Sequence, residues 1–175
     1  GVFGNGRYFT HLLNHLKSSE LSEARERADA LETELKKVIP TYIKRNRINP
    51  QKAEINRKME TLAADLFKGF TPADYKVTLM RRMSYFTETV ASCLFPYTNV
   101  SLDQILDVVS MLSREKRLEI LDAYKGNRES RRDRTGRGVE AGYPLTFDLV
   151  GGFAEYRDLE RHRMLTQQRQ SLTTD

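Results

Sequence analysis

The C-terminal stretch of the chain concentrates side chains that bind anions. An Arg-His-Arg triplet, Arg161-His162-Arg163, is followed after seven residues by Ser171, with Arg157 upstream and Arg169 in between. Arginine presents a planar fork of donors that meets phosphate oxygens two at a time, and it stays charged at any physiological pH. The segment therefore predicts a site for phosphate or another oxyanion.

The composition suits a protein that handles anions. The chain has 175 residues, which is enough for one substantial core or for parts of two neighbouring domains. Its formal net charge is +5 and its pI is near 9.3. Nucleotides, folates and nucleic acid are all compatible with this charge, so it does not choose among them.

Cysteine usage and the apolar runs indicate a cytoplasmic protein. The single cysteine, Cys93, lies in an apolar stretch, which favours a buried side chain and rules out an internal disulfide. The apolar runs fall short of the roughly 20 residues that span a bilayer, and the N-terminus has no signal-like pattern. Because Gly1 rather than Met comes first and the signature lies near Asp175, we expect a piece of a longer protein.

The N-terminal third has the periodicity of helices. Apolar residues recur every three or four positions from 4 to 16, and a charged stretch from 20 to 39 carries an apolar stripe that Pro40 stops. Serines between 18 and 22 offer capping side chains. Asn49-Pro50 is a turn signal and a candidate boundary, and a further helical pattern begins at Ile55.

The rest of the chain mixes strand and helix patterns. We predict a short strand around Val77 and Leu79, a helix from 84 to 94, helices capped by Ser101 and Ser113, a strand within 144–153, and a helix over 154–163. The predicted fold class is α+β: helix-rich, with a small sheet segment leading into the Arg-His-Arg signature helix.

An arginine-rich stretch between 127 and 140 lacks any apolar pattern and contains Gly136 and Gly138. The pattern predicts a mobile basic loop. It is either a solvated connection or a lid that collects anions beside the signature.

The signature segment resembles a known family. The spacing of Arg161-His162-Arg163 and Ser171, with Tyr156-Arg157-Asp158-Leu159 before and Leu172-Thr173-Thr174-Asp175 after, is similar to the RHR-x7-S signature of flavin-dependent thymidylate synthases. The flanking text looks like the variant found in long members that carry two such domains in tandem.

The resemblance implies roles for individual residues. The residues that would bind the FAD cofactor are Arg161, His162, Arg163 and Gln168. The residues that would bind the substrate are Ser171, Arg157 and Arg169. Ser171 would bind the nucleotide phosphate. No catalytic residue is assigned, because the family's chemistry resides in the flavin.

A second resemblance lies at the N-terminus, where Asn5-Gly6-Arg7 looks like the Asn-x-Arg helix in the latter half of a family domain. It would add Asn5 and Arg7 to the cofactor-binding residues. Residues 1–46 would then close a first synthase-like domain, 47–69 would form a helical linker, and 70–175 would open a second domain.

The implied activity is the reductive methylation of dUMP to dTMP. Methylenetetrahydrofolate and NADPH would be co-substrates with FAD as cofactor, and the folate and dUMP would be small-molecule partners. A homo-oligomer with shared active sites is implied, with four chains in ordinary members and two in a tandem protein. No membrane partner is expected, and nucleic acid is an unlikely one.

Departures from the family pattern leave alternatives open. Gln168-Arg169 replaces the usual Asn-Glu, Thr173-Thr174 replaces an arginine and a tyrosine, Asp158 replaces a glutamine and Ala141 replaces a histidine. A non-catalytic flavin-binding or nucleotide-binding half of a tandem protein is one alternative. A basic helical module for nucleic acid is another. His11 and His15 lie four residues apart and would share one face of a helix, which makes a zinc pair geometrically possible, but no metal site is predicted there.

Overall fold

The computed structural model describes residues 3–19, 21–44, 50–74, 76–128, 133–141, 145–162 and 164–173. The chain divides into two compact units, Gly1–Ala53 and Glu54–Asp175. The helices are α1 Gly6–Lys17, α2 Ser22–Val38, α3 Pro40–Lys44, α4 Pro50–Leu66, α5 Tyr85–Leu94, α6 Leu102–Met111, α7 Arg114–Lys125 and α8 Phe153–Leu159. The strands are β1 Lys76–Leu79 and β2 Phe147–Val150. The predicted helix-rich α+β class is confirmed.

The first unit is a small helical cluster. Its core contains Leu13 from α1, Ala28 from α2 and Ile43 from α3, with partly buried leucines packed around them. The helices predicted over 4–16 and 20–39 are confirmed as α1 and α2. The predicted cap is wrong, because Leu21 precedes α2 without a side-chain cap.

A partly buried ion pair joins α1 and α2 in the first unit. The Lys17 ammonium lies 2.6 Å from Glu32 and 3.2 Å from Asp29. The hydrogen bond to Glu32 raises the pKa of Lys17 and, in return, lowers the pKa of Glu32. Both groups therefore stay charged near neutral pH, and the pair links α1 to α2 beside the apolar core of the unit.

Helix α4 is part of the second unit for most of its length. Met59 and Ala63 are buried in the larger core, next to Phe67 just beyond the helix. The predicted helical character of 47–69 is thus confirmed for α4, and its C-terminal part packs into the core of the second unit. The assignment of the chain to two synthase-like domains stays a prediction.

Helix α5 lies at the centre of the second unit. It contributes Val90, Ala91, Cys93 and Leu94 to the buried core, which α6 and α7 complete. Burial of this apolar surface is the main stabilising term for such a unit.

Serine caps open the three helices of this core, and the caps predicted at Ser101 and Ser113 are confirmed. Ser84 Oγ accepts from Thr87 N, Ser101 forms a capping box with Gln104, and Ser113 Oγ accepts from Lys116 N. Helix α7 ends at Gly126, whose φ of +61° favours glycine.

Strands β1 and β2 form a two-stranded antiparallel ribbon, with Val77 opposite Leu149 and Leu79 opposite Phe147. One face is turned to the core and carries the buried Asp148, whose carboxylate accepts the Leu102 N–H at the start of α6 over 2.7 Å. This bond ties the ribbon to α6. The two strands predicted from alternation are confirmed.

Within the described ranges, no helix combines the length and apolar character that crossing a membrane requires.

Candidate oxyanion-binding site

The signature begins where α8 ends. The helix runs from Phe153 to Leu159, and a turn follows in which His162 N donates to Leu159 O over 2.9 Å. The predicted helix over 154–163 is therefore too long at its C-terminal end. Arg161 lies in the turn after α8 rather than on the helix.

The cationic side chains of this region face solvent. Arg157, Arg161 and His162 are all exposed. Arg161 forms an exposed ion pair with Asp158, one of the residues that depart from the family pattern. A carboxylate next to the first arginine of the triplet partly neutralises it and competes with a bound anion. Arg163 lies outside the described residues.

The chain then folds back onto α8. The Arg169 guanidinium lies over the Tyr156 ring, 5.6 Å from its centroid, and the Gln167 amide nitrogen donates to Leu159 O over 2.6 Å. The cation–π contact and the hydrogen bond hold residues 167–169 against α8. Arg169 is therefore brought to the same helix that carries Arg157, with Arg161 in the turn that follows.

Gln168 joins three segments of the second unit. In the orientation that satisfies both ends of its amide, the nitrogen donates to Ser92 O over 2.9 Å and to Ser92 Oγ over 3.2 Å. The oxygen accepts the Gly138 N–H over 2.6 Å. The predicted flavin contact of Gln168 stays a prediction, but the structure uses both ends of this amide inside the protein.

Side chains of the segment 168–171 alternate between the protein and solvent. Gln168 and Gln170 point inward, and the Gln170 amide nitrogen donates to Val100 O over 2.8 Å. Arg169 and Ser171 are exposed. The glutamines therefore anchor a segment that presents its arginine and serine to solvent.

The sequence prediction missed the anchoring role of Gln167 and Gln170. For Gln170 a signal was present, because Gln168 and Gln170 alternate with Arg169 and Ser171 and carry amides that can reach backbone groups. Gln167 lies outside this alternation. The sequence predicts a ligand contact for Gln168 and assigns no role to Gln167 or Gln170.

The described part of the predicted basic loop is anchored. Arg137–Glu140 forms a short 3-10 helix, and Gly138 is buried against Cys93, where an added Cβ would lie 2.8 Å from the Cys93 Cα. The Tyr124 hydroxyl accepts the Gly138 N–H over 2.9 Å. The expectation of a mobile loop is wrong for 137–140, while Arg131 and Arg132 lie outside the described residues.

Asn5 and Arg7 belong to the first unit. The Asn5 side chain caps α1 by accepting the Tyr8 N–H over 2.9 Å, and Arg7 is exposed on the first turn. The cap accounts for the amide oxygen of Asn5 without a ligand. The amide nitrogen and the guanidinium remain the groups that could meet a cofactor, as the resemblance implies.

Buried ionisable groups near the anchor stay neutral. Burial raises the pKa of the Cys93 thiol to about 12, and it raises the pKa of Tyr124 as well. A thiol of this kind is protonated at neutral pH and is a poor nucleophile. The chemistry open to this region is therefore anion binding by exposed cations on an anchored backbone.

Comparison with known proteins gives relatives whose names state no activity. The chain is 33% identical over 187 aligned residues to the UPF0159 protein of Chlamydia pneumoniae, covering 99% of this chain and 34% of that protein. It is 31% identical over 184 residues to that of Chlamydia muridarum, covering 99% and 35%. For the UPF0159 protein of Thermoplasma acidophilum the identity is 30% over 183 residues, covering 99% and 35%.

The chain thus spans about a third of the length of the curated relatives it matches. No family model matches it. No solved structure matches it either.

Proposed function

We propose that the chain contributes part of an FAD-dependent thymidylate synthase site. Arg161 and His162 would contact the FAD pyrophosphate, together with Arg163. Ser171, Arg157 and Arg169 would bind the phosphate of dUMP. The whole reaction would be the reductive methylation of dUMP with methylenetetrahydrofolate and NADPH.

One observation carries the proposal: exposed arginines are grouped on a backbone that is itself held to the core. Arg157 lies on α8, Arg161 lies in the turn that follows and Arg169 lies over Tyr156 of α8. Gln168 and Gln170 hold the segment that carries Arg169. Anchoring a donor group before the ligand arrives reduces the ordering cost of binding. A merely solvated basic surface needs no such anchors.

The donor set fits a dinucleotide cofactor. A pyrophosphate carries several anionic oxygens in a row, and arginine forks can meet them in pairs. When bound, the flavin supplies the hydride and carries the one-carbon unit. The protein residues then bind, orient and compensate charge, and the cationic cluster stabilises negative charge that develops on a bound pyrimidine.

A binding titration tests the proposal. The purified chain is titrated with FAD and followed by visible absorption and flavin fluorescence. We expect saturable binding that Arg161→Ala weakens about tenfold or more, since a bidentate charged contact is lost. Arg27→Ala, which removes an exposed arginine of α2 in the first unit, is the matched control and should leave binding unchanged. Absence of saturable binding, or equal effects of both variants, contradicts the proposal.

A non-catalytic FAD-binding or nucleotide-binding half is the second candidate. The internal bonding of the Gln168 amide favours it, because that amide is then not presented to the flavin. FAD binding without dTMP formation from dUMP, methylenetetrahydrofolate and NADPH would identify this case. Turnover by the chain would exclude it.

The proposal places the protein in the cytoplasm and expects copies of the chain to share active sites. A nucleic-acid-binding module remains the rival for the same basic charge. A salt titration separates them, because nucleic-acid affinity that rises steeply at low salt would favour the rival.

A further inference from the structure

Helix α8 carries an aromatic pair beside its arginine. The rings of Phe153 and Tyr156 stack with their centroids 6.5 Å apart and their planes at 30° to one another. The two residues are three positions apart on the helix, and Arg157 is four positions after Phe153, so all three side chains share one face of α8. This face therefore places two flat rings next to a cation.

The two rings differ in what covers them. The Arg169 guanidinium lies over the Tyr156 ring, 5.6 Å from its centroid, and Tyr156 is half-buried. Phe153 is 55% exposed. Tyr156 thus positions Arg169, while much of the Phe153 side chain stays open to a ligand. Planar bases stack on open aromatic rings of this kind.

The cation beside the aromatic pair is held before any ligand arrives. Arg169 lies between two anchored glutamines, of which Gln168 bonds to Ser92 O over 2.9 Å and Gln170 to Val100 O over 2.8 Å. A positioned cation costs less to order on binding than a mobile one. These anchors separate the cluster from a chance meeting of exposed side chains.

The spacing of the ring and the cations limits the size of the ligand. Residues four apart on a helix have Cβ atoms about 5–6 Å from one another. In a nucleoside monophosphate one ribose separates the base from the phosphate. A base that rests on Phe153 therefore brings its phosphate within reach of Arg157 and Arg169, whose forked donors meet phosphate oxygens in pairs.

We propose that Phe153 is the stacking platform for the base of a nucleoside monophosphate whose phosphate binds Arg157 and Arg169. The inference rests on the proposed function, which assigns these two arginines to the phosphate of dUMP, and it adds the surface that takes the uracil ring. One open ring suits a single base. A single-stranded nucleic acid would instead use a series of rings along a basic groove.

Ligands with and without a base test the proposal. Calorimetry gives the dissociation constants of dUMP and of deoxyribose 5-phosphate, which keeps the sugar and the phosphate but has no base. We expect wild type to prefer dUMP by about tenfold or more. Phe153→Leu should lose most of this preference and bind deoxyribose 5-phosphate as before, whereas Phe153→Tyr should keep the preference. Phe147→Leu, which changes a 52% exposed phenylalanine of β2, is the matched control and should also keep it.

The outcomes separate this proposal from the proposed function. Equal affinity of wild type for the two ligands, or a preference that Phe153→Leu retains, overturns the stacking role but leaves the phosphate site standing. If neither ligand binds, the phosphate role of Arg157 and Arg169 fails as well. An oligodeoxyuridylate that binds about a hundredfold more tightly than dUMP at low salt overturns the proposal in favour of single-stranded nucleic acid.

Nuclear magnetic resonance of the ligand gives a second readout that a merely structural role of Phe153 would not move. A phenyl ring stacked on uracil shifts the resonances of the two uracil ring protons upfield. We expect this shift when dUMP binds to wild type or to Phe147→Leu, and its loss with Phe153→Leu. Unshifted uracil resonances at saturating wild-type protein overturn the proposal.

Discussion

Helix α5 and the signature segment 157–171 use polar side chains in opposite ways. On α5, Thr87 and Thr89 are buried and bonded within the protein, with Thr89 Oγ1 donating to Tyr85 O over 2.8 Å. On the signature segment, Arg157 and Arg161 are exposed, and the backbone is held by glutamine side chains. The difference shows that α5 uses its polar groups inside the core, whereas the signature segment holds its backbone with a few glutamine side chains and leaves its arginines exposed.

The largest effect should come from the same substitution made in each region. Leu94→Ala removes a fully buried side chain of α5 and should lower the free energy of unfolding by about 2–5 kcal/mol. Leu172→Ala, at an exposed position just after the signature, should change it by less than about 0.5 kcal/mol. Urea denaturation measures both. Similar losses would mean that the signature segment is part of the core.

Loss of the glutamine contacts that hold the signature segment should have the next largest effect. Gln168→Ala removes the amide contacts to the Ser92 carbonyl and to the Gly138 N–H. Because the Gly138 N–H keeps the Tyr124 hydroxyl as an acceptor, we expect a loss of about 1 kcal/mol. Hydrogen exchange of residues 165–173 should accelerate at the same time, and FAD affinity should fall although every arginine remains. Thr166→Ala, at an exposed neighbouring position, is the control. Unchanged exchange in Gln168→Ala would contradict the anchoring role.

The buried carboxylate behind the ribbon should give a pH dependence. Burial raises the pKa of Asp148 above its ordinary value of 3.8, although the Leu102 and Leu149 N–H groups oppose the shift. The folded state therefore holds this proton more tightly than the unfolded state, and stability is lost as the pH rises through the folded pKa.

The variant Asp148→Asn cannot titrate at this position. Wild type should lose stability relative to this variant as the pH rises from about 3 towards neutral, and urea denaturation at several pH values would measure the difference. A difference between the two proteins that stays constant with pH would show that the Asp148 pKa is the same in both states.

The smallest effect on stability should come from the exposed ion pair of the signature. Asp158→Asn frees Arg161 from its carboxylate and should change the free energy of unfolding by less than about 1 kcal/mol. FAD should bind about threefold more tightly at low salt, because a competing negative charge is removed. Asp122→Asn, which breaks an exposed pair with Lys125 on α7, is the control. Tighter binding in both variants would point to net charge rather than to the site.

The regular elements of the second unit could be predicted because their signals are local. Ser84, Ser101 and Ser113 stand at their helix caps, and alternation located both strands. These patterns could not predict that one face of the β1–β2 ribbon, with Val77, Leu79, Phe147 and Leu149, is turned to solvent. The direction of this face depends on the bond between Asp148 and α6, two segments 46 residues apart in the chain.

The sequence predicted which residues belong to the candidate site, but not which of them face solvent and which bond to the protein. Arg157, Arg161 and Arg169 are exposed around α8, as a binding role requires. The family resemblance predicts Gln168 as a ligand contact, and an amide can bond a flavin or a backbone equally well. Its choice of Ser92 and Gly138 depends on long-range packing, which no local pattern encodes.

The central claim is that the arginines of the signature bind the pyrophosphate of FAD. The most direct measurement is the ratio of dissociation constants for riboflavin, which has no phosphate, and FAD, in wild type and in Arg161→Ala/Arg163→Ala. We predict that wild type prefers FAD by about a hundredfold, and that the double variant loses most of this preference with riboflavin binding unchanged. An equal preference in both proteins would contradict the claim.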